Sequence, residues 1–106
     1  MKRREAQDLL TGKQRAYLRS LANTIQAKYQ VGKAGFEDEA FIHQLDLALE
    51  KNELIKITVL ENADADPRAV SDRLCEILAA EGVQAIGRKI VLYRGRKKDP
   101  EICLPK

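Results

Sequence analysis

The apolar residues of this 106-residue chain follow two alternating patterns. Some segments have the period of an α-helix, and the segments between them are short apolar runs typical of β-strands. Apolar residues at intervals of three and four predict three amphipathic helices: residues 11–27 with Thr11 as N-cap, a segment around Phe41, Leu45 and Leu49, and one that has Asp66 as N-cap, begins at Pro67 and stops at Gly82. Short apolar or β-branched runs predict strands at residues 28–31, 54–60, 83–86 and 90–94. The order α-β-α-β-α-β-β predicts an α/β sandwich, with three helices packed on a mixed four-stranded sheet.

The last two strands are predicted to form a hairpin around Gly87, Arg88 and Lys89. Residues 90–93 read Ile-Val-Leu-Tyr with no polar interruption, which is typical of a strand covered on both faces. We therefore expect this strand to be an inner strand of the sheet.

Charge is divided by segment rather than spread evenly along the chain. Residues 1–35 carry eight basic and two acidic side chains, residues 36–87 carry four basic and twelve acidic, and residues 88–106 carry seven basic and two acidic. The formal net charge of +3 therefore conceals two cationic ends around an anionic middle. Such blocks are either solvated faces or, if the fold joins the two basic ends, a surface for a polyanion such as nucleic acid.

Side chains suited to catalysis or metal binding are sparse. The single histidine, His43, falls within the second helix, and Ser20 and Ser71 lie in helices with no histidine at a suggestive spacing. Cys75 borders the third apolar stripe and Cys103 has no Cys or His nearby, so neither predicts a zinc site. We expect a protein that is not an enzyme and uses no cofactor or metal. The low cysteine count and the lack of an apolar run of about 20 residues favour a reduced, cytoplasmic protein with no membrane segment.

Few aromatic side chains are available to stack on nucleic-acid bases. Tyr17, Phe41 and Tyr93 fall on predicted apolar stripes, so we expect them to face the core. Tyr29 and Phe36 would then remain as possible stacking surfaces. This disfavours recognition of the RRM type, in which aromatic residues of the sheet stack on bases.

The loop Gly32-Lys33-Ala34-Gly35 lies between the first predicted strand and the second helix. It is not a Walker loop, because no glycine stands five residues before Gly32 and no Ser or Thr follows Lys33. It fits the GxxG pattern by which KH-type modules clamp a nucleic-acid backbone, although a plain turn would use the same residues. The carboxylates at 37–39 would repel a phosphate at the start of the second helix, so a bound backbone is expected on the Lys33 side, toward the first helix.

Four short stretches occur in this order and together span most of the chain: LTGKQR at 10–15, VGKAG at 31–35, ELIKI at 53–57 and GRKIVLYR at 87–94. Together they resemble the CRM domain family, named for chloroplast RNA splicing and ribosome maturation, and especially its stand-alone bacterial YhbY-like members. The resemblance implies an α/β fold similar to the C-terminal domain of translation initiation factor 3. It also implies RNA binding through the loop Gly32, Lys33, Ala34 and Gly35 and, for the bacterial form, association with precursor large ribosomal subunits.

We therefore expect a monomeric, non-catalytic RNA-binding protein that associates with ribosomal RNA of the precursor large subunit and assists its assembly. Residues 10–95 would form the RNA-binding domain, between a basic extension at 1–9 and a mobile basic tail at 96–106. Charge and spacing extend the predicted RNA surface to Lys13, Arg15, Arg19, Arg88, Lys89, Arg94 and Arg96. Arg15 and Arg19 should point away from the apolar stripe of their helix, and they should share one side of the fold with Lys33 and the strand 88–94.

The acidic middle of the chain leaves a second interpretation open. In it, the protein is an adaptor whose acidic second and third helices bind a basic ribosomal protein or assembly factor. A third interpretation, an accessory of translation initiation on the small subunit, rests only on similarity of fold.

Overall fold

The computed structural model describes residues 10–33, 35–36, 38–63, 65–95 and 102. The regular elements within them are α1 (Gly12–Ala22), β1 (Tyr29–Val31), α2 (Glu39–Asn52), β2 (Leu54–Val59), α3 (Pro67–Leu78), β3 (Glu81–Ile86) and β4 (Lys89–Tyr93), with a 3-10 turn at Glu61–Ala63 after β2. These elements confirm the predicted order and the α/β class. The similarity to the C-terminal domain of translation initiation factor 3 stays a prediction.

The four strands form a mixed sheet in the order β1-β2-β4-β3. β1 runs parallel to β2, whereas β4 pairs antiparallel with β2 on one side and with β3 on the other. Since parallel neighbours need a crossover, α2 carries the chain from β1 to β2. β4 is an inner strand with residues 90–93 all buried, which confirms the expectation from its apolar run, and β3 and β4 form the predicted hairpin.

The helices cover the two faces of the sheet unequally. α2 and α3 pack on one face over the larger core, which includes Leu45, Leu74 and Ile57. α1 packs on the other face over a smaller cluster made of Leu18, Ala22, Leu54, Val83, Val91 and Tyr93. With only eleven residues, α1 leaves one end of its sheet face open, and Gln30 and Lys89 are exposed there.

Local capping explains where the helices begin. Thr11 and Gln14 form a capping box, since the Thr11 hydroxyl accepts from the Gln14 N–H and the Gln14 side chain accepts from the Thr11 N–H, both at 3.1 Å. The Asp66 carboxylate accepts from the Ala69 N–H at 3.1 Å, and Pro67 occupies the first turn of α3. These contacts confirm the predicted N-caps Thr11 and Asp66.

The predicted end of the first helix at residue 27 is wrong, because α1 ends at Ala22. The N–H groups of Thr24 and Ile25 bond to carbonyls three residues back, Leu21 at 3.0 Å and Ala22 at 3.3 Å, so the chain tightens and leaves the helix. The Thr24 hydroxyl also donates to the Leu21 carbonyl at 2.7 Å, a local bond that competes with helical continuation.

The predicted stop of the third helix at Gly82 is also wrong. α3 ends at Leu78, and Ala79 adopts the left-handed conformation with φ 54°. Gly82 lies in β3, where an added Cβ would stand 3.3 Å from Ser71 Oγ and 3.6 Å from Cys75 Sγ. Glycine at this position therefore allows β3 and α3 to approach closely, rather than ending the helix.

The expected core position of Tyr17 is wrong, since its side chain is 38% exposed. Successive residues of a helix are turned by about 100°, so the neighbour of the fully buried Leu18 falls on the flank of α1. Tyr93 is buried and Phe41 is half-buried, as their positions on the stripes predict. None of the described helices is long and apolar enough to cross a membrane.

The predicted basic extension at 1–9 lies outside the described residues, as does the predicted tail apart from Ile102. Ile102 is half-buried against the α1 cluster, and its N–H donates to Glu53 Oε1 at 3.0 Å. Glu53 is itself buried and joins α2 to β2 with φ 66°. Burial, and then the nearby Glu53 carboxylate, raise the pKa of Tyr93 above its ordinary value of 10.0, so its hydroxyl stays protonated at neutral pH.

Candidate nucleic-acid interface

The GxxG loop begins where β1 ends. The Gly35 N–H donates to the Gly32 carbonyl at 3.0 Å, which closes the loop into a tight turn, and the side chain of Lys33 between them is exposed. Ala34, which the sequence also assigned to the loop's RNA contact, lies outside the described residues. The loop therefore presents a lysine on a short, closed segment of backbone.

The two glycines of the loop are required for different reasons. Gly35 has φ 91°, a conformation that residues with a side chain rarely adopt. Gly32 has no such strain, and an added Cβ would make only ordinary contacts, 3.6 Å from Leu60 Cδ1 and 4.0 Å from Asn62 Oδ1. The fold thus requires glycine at position 35, whereas nothing in the packing requires it at position 32.

The turn between β3 and β4 lies at the same end of the sheet as the loop. Val59, at the end of β2, pairs with Val31 on one side, and its N–H donates to the Arg88 carbonyl at 2.7 Å on the other. The Arg88 guanidinium donates to the Val59 carbonyl at 2.8 Å and to the Leu60 carbonyl at 2.7 Å. Because these bonds hold Arg88 half-buried behind the loop, it both fixes this end of the sheet and supplies positive charge there.

Lys89 extends the positive charge onto the open part of the sheet. It pairs with Thr58 across β2 and β4, and it lies on the same face as Val91, two residues further along β4, which packs against α1. The side chain of Lys89 is exposed. It therefore lies on the α1 side of the sheet, at the end near the GxxG loop.

The cations of α1 divide between two flanks of the helix. Arg15 is half-buried and donates to the backbone carbonyl of Gly82, so the prediction that it points away from the apolar stripe is wrong. Arg19, four residues on, follows the same flank and is exposed. Lys13 is exposed about 160° around the helix from Arg15, on the opposite flank. Because Gly82 pairs with Leu92, Arg15 contacts the end of the sheet opposite the GxxG loop, and Arg15 and Arg19 share only the α1 side of the sheet with Lys89.

Arg94 does not lie with these cations. Its guanidinium contacts the α2 and α3 side of the sheet, donating to the Asp46 carboxylate at 2.8 Å and to the backbone carbonyls of Leu78 at 2.9 Å and Asp46 at 3.0 Å. The Glu50 carboxylate stands 3.4 Å away, and the Arg94 side chain is only 19% exposed. The expectation that Arg94 shares one side with α1 and Lys33 is therefore wrong, because two carboxylates on α2 hold it on the other face.

Acidic side chains concentrate on the α2 and α3 side. Asp38 caps α2 by accepting from the Phe41 N–H at 3.2 Å, and Glu39 occupies the first turn. Further along α2 and α3, Glu50, Asp72 and Glu76 are exposed. The N-terminus of α2 is therefore already satisfied by a carboxylate, which disfavours a phosphate at that position.

A family model supports the nucleic-acid interpretation. The CRS1/YhbY (CRM) domain matches residues 10–94, which include the loop, both hairpin strands and α1. This chain belongs to the CRM domain family. Within the described part of this CRM domain, no group of three or more His, Cys, Asp or Glu side chains is arranged to hold a metal ion.

Several relatives of this CRM domain carry names that refer to RNA. The probable RNA-binding protein YqeI of Bacillus subtilis is 43% identical over 97 residues, which cover 92% of this chain and all of that protein. A probable RNA-binding protein of Pseudomonas aeruginosa is 30% identical over 89 residues, covering 84% of this chain and 85% of the relative. The solution structure of a hypothetical protein of Staphylococcus aureus, considered an RNA-binding candidate, matches with a TM-score of 0.76 and 47% identity over 92% of this chain and all of that one.

Sequence reasoning missed two lysines of this CRM domain, Lys28 and Lys56. Lys56 is half-buried on the α1 side of β2, on the same face as Leu54 and Thr58, and Lys28 is exposed just before β1. The alternation of β2 already places Lys56 on a face with little apolar cover, and that signal could have found it. Arg96, the last predicted contact, lies outside the described residues.

Proposed function

We propose that this CRM domain protein is a non-catalytic, cytoplasmic RNA-binding protein that associates with ribosomal RNA of the precursor large subunit and assists its assembly. The observation that carries the proposal is the separation of charge between the two faces of the sheet. Lys33, Lys89 and Arg19 are exposed at the loop end and on the α1 side, and they have no carboxylate partner among the described residues. The names of the relatives, which refer to RNA, support the same class of ligand.

The binding mode that this surface favours is dominated by the RNA backbone. Lysine and arginine contact phosphates without reading sequence, whereas sequence reading requires base edges or stacking. Tyr17 is exposed on the flank of α1, whereas Tyr29 and Phe36 are half-buried and pack against the larger core, so few rings are open to a base. We therefore expect structured RNA to be held mainly by its phosphates, with few base contacts.

A salt titration of RNA binding tests the electrostatic part of this proposal. Each phosphate contact lowers the logarithm of the binding constant by about 0.7 to 0.9 for each tenfold rise in salt. With six to eight contacts, the slope for a large-subunit ribosomal RNA fragment should be about −4 to −7. A nearly flat titration would contradict backbone-dominated binding.

Charge reversal at the loop tests where the RNA binds. Lys33→Glu should lower RNA affinity at least tenfold, because it replaces an attractive charge beside the backbone with a repulsive one, and it should leave the fold intact since Lys33 is exposed. Arg68→Glu makes the same change in net charge on an exposed position of α3, on the other face, and should alter affinity much less. Equal losses in the two variants would show that net charge, and not the loop, governs binding.

Sedimentation of cell extract tests the ribosomal part of the proposal. The protein should travel with precursors of the large subunit, and it should leave that fraction when Lys33→Glu replaces the wild type. Recovery with small subunits would favour the initiation accessory, and recovery of free protein alone would contradict an assembly role.

A second candidate function is supported by a cavity between α2 and α3. Its volume is about 410 Å³, and it is lined by the acidic Glu39, by Asp46, whose carboxylate already pairs with Arg94, and by the apolar Ile42 and Ile77, beside His43. A basic, partly apolar segment of a ribosomal protein would complement it. Association with such a protein that survives complete RNase digestion and is lost in Glu39→Lys would favour the adaptor over RNA binding.

A further inference from the structure

The start of β2 has no strand neighbour on the β1 side among the described residues. β1 pairs with β2 only from Ile57 to Val59, so the three residues 54–56 precede the first paired position. A cavity of about 550 Å³ opens at this place, between the end of α1, the start of β1 and the end of α2. This volume lies within the range of about 300–1,000 Å³ that is usual for small-molecule sites.

The walls of the cavity are apolar and its rim is polar. Leu21 and Ile25 line it from α1 and the turn after it, Leu54 lines it from β2, and Ile102 lines it from the C-terminal segment. Thr24, Asn52 and Gln26 supply neutral polar groups at its exposed margin. This combination suits a flat, weakly polar group such as a nucleobase.

Backbone amide groups at the edge of β2 face the cavity side. The Glu53 carbonyl and the Val59 N–H bond to β4, so odd-numbered residues of this segment direct their amide groups to that strand. The Leu60 N–H bonds to the Val31 carbonyl instead, so even-numbered residues direct theirs to the β1 side. At Leu54 and Lys56 that side is the cavity, where peptide donors and acceptors are available to a base edge.

Two lysines give the cavity a positive charge. Lys28 and Lys56 both line it, and neither forms an ion pair with a described residue. The carboxyl end of α1 carries a partial negative charge, so a phosphate is favoured on the strand side, beside Lys56, with the base under the helix. The positive charge favours a nucleotide over an uncharged or acidic peptide segment as the occupant.

We propose that this cavity binds one unpaired nucleotide of the RNA, with the base between α1 and the edge of β2 and its phosphates at Lys28 and Lys56. The inference rests on the proposed RNA-binding function and adds a base-specific subsite to it. Lys28 and Lys33 are five residues apart, so their Cα atoms are separated by no more than about 18 Å. Gln30 and Thr58 share the face of Lys56 between the cavity and the loop, so one strand of RNA can follow the sheet from Lys33 to the cavity.

Binding of two single-stranded RNA probes of the same length tests this inference. One is an eight-residue oligouridylate, and the other is the same ribose-phosphate chain without bases. The base-bearing probe should bind about tenfold more tightly to the wild type, since stacking and enclosure of a single base typically contribute that much. Asn52→Met, which extends an unbranched apolar side chain over the exposed rim of the cavity without changing charge or adding an aromatic ring, should reduce this preference to less than twofold. Gln44→Met, an equivalent change on an exposed position of α2 away from the cavity, should preserve it.

The outcomes separate this inference from the proposed function. Equal binding of the two probes by the wild type, or a preference that persists in Asn52→Met, would overturn the nucleotide cavity while leaving phosphate binding at Lys33 in place. Binding of a structured ribosomal RNA fragment but of neither single-stranded probe would overturn the cavity alone. Failure to bind all three RNAs at low salt would overturn the proposed function and the cavity with it.

Discussion

The two ends of β4 carry basic side chains that look alike in sequence and have different environments in the structure. At the loop end, Lys89 is exposed and Arg88 is bonded to backbone carbonyls, which leave its positive charge uncompensated. At the other end, Arg94 is held by Asp46 and Glu50 and is 19% exposed. The comparison shows that clusters of basic residues in a sequence do not by themselves define a cationic surface. Such a surface requires cations that the fold leaves without carboxylate partners.

Removal of Arg94 should produce the largest effect on stability. Arg94→Ala deletes bonds to two carboxylates and two carbonyls, and it should lower the free energy of unfolding by about 2–4 kcal/mol. RNA affinity of the folded variant should stay within twofold of the wild type. Urea denaturation and RNA binding measured on the same preparation check both parts.

Arg68→Ala is the matched control for that variant. It removes an exposed arginine of α3 and should change stability by less than about 0.5 kcal/mol. If Arg94→Ala were as stable as this control, or if it bound RNA as weakly as Lys33→Glu, the difference between the two ends of β4 would not hold.

The sequence predicted the features of this chain that depend on near neighbours. The caps at Thr11 and Asp66 and the helix start at Pro67 are fixed by residues within one turn, and all were predicted correctly. The apolar run at 90–93 identified the inner strand, because burial on both faces removes the usual alternation.

Features that depend on distant residues were not predictable. The partner of Arg94 is 48 residues away in sequence, and Arg88 bonds to carbonyls 28 and 29 residues away. Gly82 resembles a helix stop because glycine is common just after the last turn of a helix, yet in the structure it allows β3 to pack closely against Ser71 in α3. That Lys33, Lys89 and Arg19 form one RNA surface stays a prediction, whereas the contacts of Arg94 with Asp46 and Glu50 required the tertiary structure.

Alanine substitutions of the two loop glycines should separate effects on stability from effects on RNA binding. Their effects on stability should be smaller than that of Arg94→Ala. Gly35→Ala forces a side chain into a backbone with φ 91°, and it should lower the free energy of unfolding by about 1–2 kcal/mol. Gly32→Ala meets only ordinary contacts and should leave stability within about 0.5 kcal/mol of wild type. If the RNA backbone approaches Gly32 closely, Gly32→Ala should nevertheless weaken RNA binding.

Thermal or urea unfolding, with RNA titrations in parallel, measures the stability and the RNA affinity of the Gly32→Ala and Gly35→Ala variants. A stable Gly32→Ala variant with unchanged affinity would show that the backbone does not approach position 32. An unchanged stability of Gly35→Ala would contradict the requirement for glycine in the loop turn.

Neutralising a single lysine should give the smallest effects, and these should be visible in the salt dependence of RNA affinity. Lys33→Ala and Lys89→Ala should each reduce the steepness of the salt slope by about 0.7 to 0.9, the equivalent of one phosphate contact. Arg68→Ala should leave the slope unchanged, because it lies on the other face of the sheet. A slope reduced equally by all three substitutions would mean that the two faces do not differ in RNA contact.

Amide chemical-shift mapping by NMR, while a large-subunit ribosomal RNA fragment is added to the uniformly labelled protein, tests most directly which face of the sheet binds RNA. We expect the amide resonances of Gly32, Lys33, Thr58 and Lys89 to shift, at the loop end and on the α1 side of the sheet. The amide resonances near Asp46, Asp72 and Glu76 on α2 and α3 should not shift. Shifts concentrated on α2 and α3, with Lys33 and Lys89 unaffected, would show that RNA binds the acidic face instead.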